Sequence, residues 1–174
     1  FKMLTGRKFD VKLGSKSAGY MINRTYIKFW PAEYHAQSSI DAALQIRRRF
    51  LIDGYRWKDI RKLEMESFEA AVSIIGSEPE KWRPTSRETA DHSMGYMTVA
   101  ALIDGDVTRD TFSPKKFTDK KYLKLLDHTN AHPIIPLQRI AQAQHEYRVS
   151  NVGLDIRRSS PRIVQGRLSV IRHS

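Results

Sequence analysis

Along this chain the apolar positions change spacing from about two to nearly four and back, and each change marks an element. Residues 20–29, Tyr-Met-Ile-Asn-Arg-Thr-Tyr-Ile-Lys-Phe, are rich in β-branched and aromatic side chains. That composition predicts a strand, which Pro31 should stop. In residues 35–52, Ile40, Ala43, Leu44 and Leu51 fall at i, i+3, i+4 and i+11, one face of a helix. Arg47, Arg48 and Arg49 near its end complement the helix dipole and read as a solvated terminus rather than a docking site. After a turn at Gly54, Leu63, Met65 and Ser67 alternate with Glu64, Glu66 and Phe68, a strand with one wet face. Residues 69–76 predict a short helix closed by Gly76. A Pro-broken loop leads to one long helix over 88–105, with Met94, Met97, Ala101 and Leu102 in register. Residues 120–127 predict a further amphipathic helix. Strand, helix, strand and helix joined by short loops predict an α+β fold, a small mixed two-layer domain with helices packed on a sheet.

The far end of the chain has a different texture. Residues 138–145 could form a helix, but 151–174 carry no sustained period, are rich in Arg and Ser, and read as weakly structured. The chain has 174 residues, enough for one domain with a core of its own, and a formal charge of +11. Residues 1–127 carry 23 basic and 17 acidic side chains, whereas 128–174 carry seven Arg, two acids and none of the 13 Lys. This divides the chain into a domain over 1–127 and a divergent Arg-rich tail over 128–174. A shifted reading frame after residue 127 would produce such a change. There is no Cys, which excludes disulfides, thiolate metal sites and cysteine nucleophiles. The apolar runs are too short to span a membrane, and no charged-then-apolar leader opens the chain, so a cytoplasmic location is expected. A start at Phe1 rather than Met reads as the interior or end of a longer product.

Two strings gather residues with chemistry. The first, Lys28-Phe29-Trp30-Pro31-Ala32-Glu33-Tyr34-His35-Ala36-Gln37, brings Lys28, Glu33, His35 and Gln37 to a corner beside a helix N-terminus, where anions are stabilised. Polar residues also gather at such corners merely as caps. In the second string Glu88, His92 and Tyr96 recur every four residues and would share one face of the expected helix. His92 could equally be a core histidine whose hydrogen bonds are met within the fold.

The strings YIKFWPAEYHAQSSIDAALQIR and RETADHSMGYMTVAALIDGDVT closely resemble those of the MmgE/PrpD family over residues 18–127. That family comprises iron-independent 2-methylcitrate dehydratases and, among their relatives, cis-aconitate decarboxylases. The resemblance implies the smaller α+β domain of a two-domain, generally dimeric enzyme, with the active site between this domain and a missing N-terminal helical one. By position in the motifs, Lys28 matches the family's active-site lysine in K-x-x-P-A, and Tyr96 matches the tyrosine four residues after its histidine. Glu33 stands where decarboxylase relatives have a histidine, which favours dehydration. His35 and His92 are candidate acid or base groups, and Glu33, Gln37 and Glu88 candidate substrate-binding residues alongside Lys28 and Tyr96.

The implied substrate is a small tricarboxylate, in a propionate-degrading 2-methylcitrate cycle. Losing water from a 2-hydroxy tricarboxylate requires removal of a proton α to a carboxylate and departure of hydroxide as water. Lys28, a cation at neutral pH, would hold a carboxylate and stabilise enolate-like charge, and Tyr96 would donate a hydrogen bond. No metal and no cofactor are expected, and half a site predicts little activity in isolation. Two other readings compete: a basic nucleic-acid-binding module, against which no recognition motif appears, and a non-catalytic remnant.

Overall fold

The computed structural model describes residues 3, 6–7, 19–133, 151–156 and 163–167. Its centre is helix α4, Met94–Asp104, in which every residue from Met94 to Leu102 is buried. A helix apolar on all sides can exist only inside a protein, so the other elements are arranged around it. Helix α1, Gln37–Ile52, lays Ile40, Ala43, Ile46 and Phe50 against α4 and the sheet. That stripe passes through the predicted face, while Leu44 and Leu51 stand at its half-buried margin. Helix α6, Lys120–Leu126, covers another side with Tyr122, Leu125 and Leu126. The short helices α2, Glu69–Ile75, α3, Arg87–Asp91, and α5, Pro114–Phe117, complete the layer.

Strand β1, Ile60–Ser67, buries Ile60, Leu63, Met65 and Ser67 and exposes Arg61, Lys62, Glu64 and Glu66, the predicted one-sided strand. It lies inside a four-stranded sheet of order β2-β1-β3-β4. Strand β2, Thr129–Pro133, runs parallel to it with Leu63 opposite Thr129. Strand β3, Asn151–Ile156, is antiparallel to β1, and β4, Ile163–Arg167, is antiparallel to β3. Helices on a small mixed sheet make this an α+β fold.

Three expectations change. Residues 20–29 form no strand: a 3-10 turn, Met21–Arg24, is followed by irregular chain. Strand preference reflects packing on a pleated surface, and no described strand offers this segment one. The long helix over 88–105 is two helices, because Ser93 adopts an extended backbone and accepts from the Tyr96 N–H as the N-cap of α4. Finally, residues 151–156 and 163–167 are strands rather than weakly structured chain, and 129–133 form a further strand of the same sheet. The compositional change at His128 thus falls beside a strand pairing, and the sheet is built from both sides of it. The helix expected over 138–145 lies outside the described residues.

One arginine of the triplet has a defined partner. Arg48 and Arg49 are exposed, but the Arg47 Nε–H donates to the Leu102 carbonyl at 3.0 Å, near the C-terminus of α4. Gly105 ends that helix in the left-handed region, φ 84°, and a Cβ there would stand 2.9 Å from the Arg47 guanidinium carbon.

Candidate active-site corner

The corner between Lys28 and Gln37 is built around one side chain. Gln37 Oε1 accepts from the backbone N–H groups of Phe29 and Trp30, both at 3.1 Å. Its Nε2 donates to the carbonyls of Trp30 at 3.1 Å, Ala32 at 3.4 Å and Glu33 at 3.5 Å. An amide has two acceptor lone pairs and two protons, so this capacity is taken up. Gln37, a candidate substrate-binding residue, braces the loop in this structure.

Glu33 caps the 3-10 turn Tyr34–Ala36. One carboxylate oxygen accepts from the His35 backbone N–H at 2.5 Å, and the other lies 2.7 Å from His35 Nδ1. The two side chains retain 14% and 25% of their exposure, a part-buried pair. A carboxylate on Nδ1 selects the tautomer protonated there and leaves Nε2 for another partner. The His35 ring also packs against Phe68, centroids 5.6 Å apart, immediately past the end of β1. The same turn packs on α2 and α4. Lys28 precedes this arrangement on exposed chain and pairs with none of the described residues.

The second string is not gathered in the same way. Ser86 and Thr89 form a reciprocal capping box at the start of α3. Glu88 is exposed there, and its own backbone N–H and the Ser86 hydroxyl hold its carboxyl below the usual carboxylate range. His92 is exposed, with Nδ1 3.0 Å from the Glu88 carbonyl. Ser93 donates from its hydroxyl to the Lys81 carbonyl. Tyr96 is fully buried, and its hydroxyl donates to the Thr111 carbonyl at 2.6 Å. Burial, and then the charges of Asp104, Asp110 and Asp119, push its phenol well above the ordinary tyrosine value. Glu88, His92 and Tyr96 therefore share no stripe, because the chain breaks between the second and the third.

Two features escaped the sequence reading. Asp104 accepts from the Tyr122 hydroxyl at 2.9 Å and from Lys116 Nζ at 2.8 Å, with Lys121 Nζ at 3.7 Å. This closes α4, α5 and α6 on one carboxylate. Asp91 Oδ1, beside His92, is buried without a hydrogen-bond partner among the described residues. Its adjacency to His92 was the available signal.

The fold is that of a small α+β domain, with the Glu33–His35 pair packed beside the end of its inner strand β1. Residues 30–151 match the MmgE/PrpD C-terminal domain, and the chain belongs to the MmgE/PrpD family. The match continues past Asp127, through β2 and into the start of β3. Among similar curated proteins, a probable 2-methylcitrate dehydratase of Saccharomyces cerevisiae is 30% identical over 112 residues, 64% of this chain and 21% of that protein. The 2-methylcitrate dehydratase of Escherichia coli strain K12 is 27% identical over 112 residues, 64% of this chain and 23% of that protein. An alkylcitrate dehydratase of a fungal species is 33% identical over 86 residues, 49% of this chain and 16% of that protein. The aligned part of the chain spans about a fifth of the length of these relatives. No helix among the described residues is long and apolar enough to cross a membrane.

Proposed function

We propose that this chain is the smaller-domain portion of a hydro-lyase that dehydrates a 2-hydroxy tricarboxylate of the 2-methylcitrate kind. The part-buried Glu33–His35 pair carries the reading, with exposed Lys28 on the chain that leads into it. Dehydration needs a cation for a carboxylate and a group that accepts and returns a proton. Lys28 supplies the first, and His35 Nε2, with Nδ1 held by Glu33, supplies the second. A C–H bond α to a carboxylate breaks, its electron pair forms the new C=C bond, and the hydroxyl leaves with a proton as water.

The remaining groups come from a second, helical domain. A strip of exposed apolar side chains supports this, because Tyr20, Met21, Ile22, Tyr26, Ile27 and Phe29 flank Lys28 and Ile27 is 89% exposed. Patches of this kind mark interaction surfaces. Glu88 and His92 are both exposed. Tyr96 would contribute only once the Thr111 carbonyl gives up its hydroxyl.

The test combines purified 1–174 with the separately expressed helical domain of a two-domain relative and follows dehydration of 2-methylcitrate. Activity should be negligible for either part alone and should appear in the mixture. K28A and H35A should each lower it by about 10²- to 10⁴-fold. Dehydration by 1–174 alone within about tenfold of the two-domain enzyme, or a mixture indifferent to K28A, would refute the assignment.

A further inference from the structure

At the opposite end of β1 lies a cavity of about 330 Å³, lined by Trp57, Lys58, Ile60, Lys124, Leu125 and His128. The Glu33–His35 corner adjoins Phe68 at the end of the strand, whereas this cavity adjoins Ile60 at its start. At ~3.3 Å per residue the eight residues of β1 hold the two ends roughly 23 Å apart. The cavity therefore belongs to no part of the site described above.

Its walls combine two kinds of surface. Ile60 and Leu125 are buried and apolar, and Trp57 is half-buried. Lys58 Nζ stands 5.7 Å from the Trp57 ring centroid, and Lys124 and His128 add two more basic side chains, with no carboxylate lining the cavity among the described residues. The acids nearest in sequence are engaged elsewhere. Asp59 accepts from the Arg56 N–H at 2.7 Å within its own capping box, and Asp127 pairs with Arg83. Neither Lys58 nor Lys124 forms an ion pair among the described residues. The frame is nonetheless fixed: the His128 carbonyl accepts from the Leu63 N–H at 2.9 Å, and the Thr129 hydroxyl donates to the Leu125 carbonyl at 2.7 Å.

Basic groups converging, without acids among the described residues, on a cavity with aromatic and aliphatic walls suit one ligand chemistry. We infer that this cavity binds a small organic phosphate with a flat apolar body, of which a nucleoside diphosphate is the type. The phosphates lie against Lys58, Lys124 and His128, and the ring packs on Trp57 and Leu125. Cavities of this volume fall within the range of small-molecule sites, and cationic side chains are common phosphate partners.

The experiment follows the indole N–H resonances of Trp30, Trp57 and Trp82 in the full chain, assigned through W57F and W82F. ADP should shift the Trp57 resonance saturably and leave Trp30 and Trp82 in place. Pyrophosphate should compete with it, and adenosine should compete more weakly. K58Q/K124Q should weaken ADP binding by about tenfold or more at unchanged melting temperature. K28A should leave it unaltered, which separates this site from the proposed active site. Absence of a saturable Trp57 shift up to about 10 mM ADP would overturn the inference. So would uniform shifts at all three tryptophans, or undiminished binding by the double variant.

Discussion

Tyr96 and Thr111 are 15 residues apart in sequence, yet the tyrosine hydroxyl donates to the threonine carbonyl at 2.6 Å inside the core. The bond ties α4 to the 3-10 turn Arg109–Phe112 and meets the needs of a phenol that has no access to water. Tyr96→Phe removes the donor and leaves a buried carbonyl without it. A loss of about 1–2 kcal/mol in unfolding free energy is expected, read from urea denaturation. A change below about 0.3 kcal/mol would show that the bond contributes nothing to the fold.

Two buried tyrosines make the domain sensitive to alkali. Tyr96 and Tyr122 stand 5.9 Å apart, and burial raises both phenols, helped at Tyr122 by its hydrogen bond to Asp104. Unfolded tyrosines ionise near pH 10. Above that pH the unfolded chain releases protons that the folded chain retains, so their contribution is complete below pH ~10 and is lost as pH rises. Each tyrosine should add a slope of about −1.4 kcal/mol per pH unit above pH 10. Lys116, raised chiefly by its hydrogen bond to Asp104, acts in the same direction. Urea midpoints measured from pH 8 to 11 should fall only at the alkaline end, and Tyr122→Phe should flatten the fall. A flat profile in the parent protein would contradict this account.

The corner should depend on Gln37 more than on the residues it presents. Gln37→Ala strips the side-chain acceptor from the Phe29 and Trp30 N–H groups. Hydrogen exchange at those two amides should accelerate by about tenfold or more, while amides of α4 stay protected. A loss near 1–3 kcal/mol, confined to this loop, corresponds to that change. Exchange at Phe29 and Trp30 indistinguishable from the parent would show that the loop is held by other means.

Much of the architecture was legible because it is local. The alternation of Leu63, Met65 and Ser67 and the spacing of Ile40 and Ala43 each follow from which neighbours a strand or helix places on one face. The strand expected over 20–29 failed for a non-local reason: its residue types suit a sheet, but no described strand lies beside them. Two other misses were readable in hindsight. Ser93 ahead of an apolar run is an N-cap signal, and Val152, Leu154 and Ile156 alternate within an Arg-rich stretch whose composition hid their period. At the site, the gathering of Lys28, Glu33, His35 and Gln37 was visible, but their division of labour was not. Glu33 reaches His35 because the backbone turns as a 3-10 helix, and Gln37 faces inward because the loop folds over it. The partners of Asp104 lie 12 and 18 residues away, beyond any local pattern.

Gly95 offers a test in which helix propensity and packing point in opposite directions. It is the second residue of α4, where alanine would ordinarily be the better helix former by about 1 kcal/mol. Its backbone is not in the left-handed region, so conformation alone raises no objection. The obstacle is space. A Cβ at this position would meet Trp82 Cζ3 at 2.6 Å, Leu126 Cδ1 at 2.8 Å and Trp82 Cε3 at 2.9 Å. Trp82 cannot swing away freely, because its indole N–H donates to the Gly76 carbonyl at 3.0 Å. Leu126 is buried at the end of α6. Forcing a methyl group into such a contact costs about 1–3 kcal/mol, which exceeds the propensity gain over most of that range. Gly95→Ala should therefore destabilise the domain by about 1 kcal/mol, the middle of that range less the propensity gain, in urea and shift the Trp82 fluorescence. Combined with Leu126→Ala, the loss should fall short of the sum of the two single losses, because the smaller side chain vacates one of the three contacts. A Gly95→Ala protein as stable as its parent would mean that α4, Trp82 and Leu126 are packed less closely than these distances require.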